Sequence, residues 1–76
     1  MRGGTGMRPR EEVEKIKKLF PVGTKIRLIH MDDSQAVPSG ILGTVDHIDD
    51  DGQLHMKWDN GRTLALIYGV DQFETI

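Results

Sequence analysis

A chain of 76 residues with no cysteine and a formal net charge of −2 has room for one small domain. The missing cysteines exclude disulfide staples and thiolate metal sites. No apolar run approaches the roughly 18 residues needed to cross a bilayer, and the opening "MRGGTG" lacks the apolar stretch of a secretion signal. A cytoplasmic protein that does not engage a membrane is the expectation.

The charge is uneven along the chain. Residues 1–27 carry eight basic against three acidic side chains, a net +5, and residues 28–76 carry two against nine, a net −7. The two halves either attract each other within one fold or present a basic arm to nucleic acid. The acidic half would repel phosphates, which favours the first.

Residues 1–8 are glycine-rich and without pattern, which predicts a disordered N-terminal segment. Arg2-Gly3-Gly4 can be encoded by a purine-rich run resembling a bacterial ribosome-binding sequence. Met7 is therefore an alternative natural start, which the gene's DNA would settle.

Residues 9–19 predict a short helix. Pro9 suits the first helical position, and Pro21 stops the helix. Glu11 and Glu12 in the first turn and Lys17 and Lys18 in the last both complement the helix dipole. Glu11–Lys15 and Glu14–Lys18 are favourable pairs four residues apart. Val13, Ile16, Leu19 and Phe20 form one apolar stripe. So short a helix is marginal alone, so the stripe must dock on its own domain or on a partner.

Residues 20–76 predict five short strands. "FPVG" fits a turn, and "TKIRLIH" alternates, with Ile26 and Leu28 on one face. "MDDSQAVPSG" is an irregular loop, long enough to suggest a purpose. "ILGTVDHI", "QLHMKW" and "RTLALI" are three further strands. "YGVDQFETI" gives a single turn at Tyr68 to Val70 and a brief closing strand at Gln72 to Thr75.

The acidic stretch "DDDGQLHMKWDNG" has two readings. A calcium loop fails, because setting Gly52 at its sixth position puts His47 first and Trp58 twelfth, where ligands belong. Two turns around one strand succeed. Face parity then selects a three-residue loop at Asp59-Asn60-Gly61, opposing Met56 to Leu64 and Leu54 to Leu66. The same test opposes Ile48 to Leu54 and His47 to His55. In this reading Asp49 and Asp50 shape the first turn, and Asp46 and Asp59 face water. The two histidines lack a third and fourth zinc ligand, so no metal or cofactor is expected.

A helix followed by about five strands, with bulged hairpins at the centre, predicts a mainly β fold: a small five-stranded barrel preceded by one short amphipathic α-helix. "GTVDHIDDDGQLHMKWDNG" resembles the central hairpins of Tudor, KOW and Mind-bomb-type SH3-like domains. The ordered motifs F-P-x-G-T, M-D-D, G-T-V, W-D-N-G and G-x-D, over residues 20–73, resemble a family of small bacterial domains of unknown function. The family occurs in Gram-positive genomes among plasmid, phage and conjugative-element genes. The resemblance implies an SH3-like barrel and carries over no catalytic residues.

No nucleophile, phosphate loop or deep pocket is legible, so a non-catalytic module is expected. SH3-like barrels often bind along a groove between the long first loop and the turn before the last strand. That region would gather Met31, Asp32, Asp33, Tyr68 and Asp71, perhaps with Trp58, and suits a basic protein or peptide partner. By parity, Trp58 belongs to the core. Two alternatives remain. One is nucleic-acid binding through the basic residues from Arg8 to Arg27. The other is weak homodimerisation through the helix stripe of an otherwise monomeric chain.

Overall fold

The computed structural model describes residues 8–76. The expected disorder of the N-terminal segment and the alternative start at Met7 therefore lie outside the described residues, apart from Arg8. A helix, α1 (Arg10–Leu19), precedes five strands: β1 (Lys25–His30), β2 (Leu42–Ile48), β3 (Gln53–Trp58), β4 (Leu66–Ile67) and β5 (Gln72–Thr75). The strands form one antiparallel sheet in the order β4-β3-β2-β1-β5. The mainly β class and the leading helix agree with the sequence. No ladder among the described residues joins β4 to β5; only a bridge between Tyr68 and Asp71 spans the turn between them.

The sheet wraps one apolar core. Alternation along β1 and β3 sends Ile26, Leu28, Leu54, Met56 and Trp58 inward, where Val45 and Leu66 meet them. Each such side chain contributes about 1.5–3 kcal/mol through removal from water. The helix closes one side of this core. Val13 and Ile16 are buried, so the stripe docks on its own domain. Leu19 departs from the stripe and stays about half exposed, while Phe20 is only half-buried.

Both hairpins adopt the three-residue form. In the first, Asp49 N–H donates to Gln53 O (3.1 Å) and Gly52 N–H to Asp49 O (3.0 Å). In the second, Trp58 N–H donates to Arg62 O (3.0 Å) and Gly61 N–H to Trp58 O (2.9 Å). Gly52 and Gly61 take φ of 82° and 86°, the left-handed region that glycine enters without steric cost. Ile48–Leu54, His47–His55 and Leu54–Leu66 are opposed as parity requires. Parity alone does not show the bulge at Asp46, where the β2–β3 register shifts by one residue.

The strand expected over "RTLALI" is shorter than its sequence suggests. Only Leu66 and Ile67 pair regularly. The Trp58 indole N–H donates to Leu64 O at 2.8 Å, so a side chain takes up a carbonyl of the segment beside β3. Arg62 is drawn sideways, its guanidinium donating to Gln35 O in the long loop.

Candidate functional site

Three of the chain's four aromatic rings meet at the surface. Phe20 ends the helix, Tyr68 begins the turn after β4, and Phe73 sits in β5. Phe20 lies 5.6 Å from Tyr68 and 5.4 Å from Phe73 between centroids, with ring planes tilted by 57° and 62°. Such tilted contacts set positive ring edges against negative ring faces and add to the burial term. The fourth ring, Trp58, is buried, as its parity with Leu54 and Met56 predicts.

The three rings wall a groove of about 780 Å³, whose remaining lining includes Ile29, Asp71 and the length of β5. A smaller hollow on the other side of Tyr68 is lined by Leu19, Lys15, Glu11 and Glu12. Leu19, Ile29 and Val70 are 49%, 47% and 55% exposed, and Tyr68 is 36% exposed. Of these, Ile29 and Tyr68 line the groove and Leu19 lines the smaller hollow. Tyr68 is held from behind, because its carbonyl accepts from Arg8, which also pairs with Glu12.

The structure divides the residues chosen from sequence. Tyr68 and Asp71 line the groove; Met31, Asp32 and Asp33 do not. Met31 is buried in the core rather than displayed in the loop. The loop folds back onto β1, with Leu28 N–H donating to Ile41 O (2.9 Å) and Gly40 N–H to Leu28 O (2.7 Å). That return carries Met31 and Val37 inward together. Asp33 shapes the loop by accepting from Gln35 N–H at 2.8 Å. Asp32 is exposed. Asp71 is buried, and its Oδ2 accepts from Ile67 N–H at 2.8 Å, so its role at the groove is architectural. Ile29 and Phe73 are not legible as groove residues in the sequence, and Phe20 is legible there only as the end of the helix stripe. The available signal was the scarcity of aromatic residues: only four occur, and parity had already assigned one to the core.

The acidic stretch resolves into a hydrogen-bonded turn. Asp49 Oδ1 accepts from the N–H groups of Asp51 and Gln53, both at 3.0 Å, and Oδ2 meets His55 Nε2 at 2.7 Å. Partial burial pushes the Asp49 carboxyl up. The hydrogen bonds from His55, Gln53 and Asp51 outweigh it and hold the group below the ordinary carboxylate value. Asp46 is also lowered, by its hydrogen bond to His47 and then by Lys57. The His47 and His55 rings stack 4.4 Å apart and nearly parallel, each against its own aspartate. Among the described residues no group of three His, Asp or Glu side chains is placed to hold a metal ion. On the helix, Arg10 and Lys17 line one hollow together with Glu14 and with Asp50 of the first hairpin turn.

These features define a small, mainly β domain with a helix packed on its side and an aromatic groove beside its last strand. The chain belongs to a family described as a domain of unknown function, DUF4314, whose match spans residues 9–76. No curated protein and no solved structure matches the chain. No helix among the described residues is long and apolar enough to cross a membrane.

Proposed function

We propose that the chain is a non-catalytic binding module that takes a protein or peptide partner in the groove walled by Phe20, Tyr68 and Phe73. One observation carries this reading. Three of four aromatic side chains meet at one surface groove, where Phe20 and Phe73 cover the edge of the core while keeping part of their surface open, beside exposed Ile29 and Tyr68. Rigid aromatic rings lose little conformational entropy on binding and supply large contact areas, which is why they anchor interfaces. The neighbouring charges are modest and mixed, with Lys15 beside Glu11 and Glu12. Contacts would therefore be mainly apolar, with polar groups at the rim.

The test is parallel affinity capture from the native host with the wild-type chain and with Tyr68→Ala as baits. One stoichiometric protein retained by the wild type and lost from the variant supports the reading. Equal recovery on both baits, or recovery of nuclease-sensitive material alone, overturns it.

A further inference from the structure

The groove follows the edge of β5. Across the β1–β5 ladder, Thr75 opposes Ile26 and Phe73 opposes Leu28, so these two share the core-facing side. Glu74 opposes Arg27 and shares the outer side, where the two side chains pair at 3.3 Å. The groove is lined from both sides of the strand, by Phe73 and Thr75 on one and by Glu74 on the other, with Ile29 at the bulge where the β1–β5 register shifts. A hollow bounded by both faces of a strand lies along its edge.

That edge offers backbone hydrogen bonds. Ile76 N–H donates to Lys25 O at 3.1 Å, which fixes the phase of the antiparallel ladder. Glu74, two residues back and opposite Arg27, is then the next residue bonded to β1. Phe73 and Thr75 turn their N–H and C=O groups away from it. Among the described residues their outward groups have no backbone partner and β5 has no second neighbouring strand. Such an edge is a template for an added strand.

We propose that β5 takes an extended peptide as a sixth strand, with apolar side chains opposite Phe73 and Thr75 and a lysine or arginine between them, opposite Glu74. This rests on the groove-binding reading above and specifies how the partner is held. The apolar side chains fall on the side of the aromatic wall. The basic one falls beside Glu74, whose Oε1 has no partner among the described residues while Arg27 holds Oε2. A second copy of this chain fits poorly. The register that pairs most of β5 with its twin sets Phe73 against Thr75 and Glu74 directly against Glu74, and like charges directly opposed across a strand pair are destabilising.

The probe is a phage-displayed library of random peptides selected on the full chain, followed by affinity measurement on one enriched synthetic peptide. Enriched sequences are expected to alternate apolar, basic, apolar. Thr75→Pro removes one outward N–H and none bonded to β1, and is expected to weaken the peptide about tenfold or more, with Thr75→Val unchanged. Glu74→Lys, which needs no backbone adjustment, is expected to weaken a basic peptide comparably. In the complex, the amides of Phe73 and Thr75 should exchange with solvent more slowly. Peptides that lose binding with Tyr68→Ala but not with Thr75→Pro or Glu74→Lys would overturn strand addition and leave the groove reading standing. A library yielding no peptide that depends on Tyr68 would overturn both. Sedimentation as a dimer, with Thr75 already protected before peptide is added, would assign the edge to a second copy instead.

Discussion

Gly43 and Trp58 stand directly opposite each other on the β2–β3 ladder, and the indole fills the space a side chain at position 43 would need. A Cβ on Gly43 would lie 2.5 Å from Trp58 Cε3 and 3.0 Å from Cζ3. An aromatic ring cannot fold away as a flexible chain end can. Gly43→Ala should therefore destabilise the domain by about 1–3 kcal/mol through overpacking. Urea unfolding followed by the fluorescence of Trp58, the only tryptophan, measures this. An unchanged midpoint would mean the indole has room to move.

Two glycines with nearly the same backbone angle should respond differently to alanine. At Gly61 a Cβ would meet nothing within 4 Å, so Gly61→Ala carries only the left-handed backbone penalty of about 1–2 kcal/mol. At Gly52 the same penalty applies, and the Cβ would also lie 3.2 Å from Ile16 Cδ1 and 2.9 Å from Arg8 Cδ. Gly52 is the point on the first hairpin against which the helix packs. Gly52→Ala should cost measurably more than Gly61→Ala and should lower helix content in far-ultraviolet circular dichroism. Equal effects would mean that the helix is free to shift away from the turn.

Asp71 ties the turn after β4 to Ile67. Replacing it with alanine leaves the Ile67 N–H without its buried acceptor, at a cost of about 1–3 kcal/mol. Asp71→Asn keeps an acceptor oxygen and should lose less. Thermal unfolding of the two variants beside the wild type distinguishes them. Indistinguishable stability of Asp71→Ala and wild type would remove Asp71 from the structural account.

Asp49 predicts an acid limb. Its folded-state pKa lies below the ordinary value of 3.8, so the unfolded chain binds the proton more readily. The carboxylate's contribution is fully present above that ordinary value and is lost as pH falls through the folded value. Asp49→Asn should be less stable than wild type at pH 7 by about 1 kcal/mol, since two backbone N–H groups and His55 lose an ionised acceptor. The gap should close below pH 3.8. A gap that persists undiminished at pH 2 to 3 would place the effect elsewhere in the turn.

The hairpins were legible in the sequence because they are local. Strand periodicity and glycine placement fix which of Ile48, Leu54 and Leu66 share a face within a window of about twenty residues. The bulge at Asp46 and the shortening of β4 depend on what each segment packs against, including the Trp58 indole held by Leu64, and short-range pattern does not carry that. The groove was hardest to read. Phe20 reads as the end of a helix stripe and Phe73 as part of a closing strand. They meet because the helix docks across the sheet and β5 returns to β1. Met31 misled for the converse reason, since a loop rich in polar residues gave no sign that its first residue turns inward.

The pairing of β1 with β5 also sets the order in which this chain can fold. Arg27 meets Glu74 across 47 residues, while the two hairpins close over only a few. During synthesis both hairpins have all their parts before Gln72 to Thr75 leave the ribosome. Until then β1 has β2 on one side and an unfilled flank on the other. Contacts so distant in sequence slow folding, because the long loop must close before they return any energy. β5 thus joins after the hairpins and shuts the open side of β1.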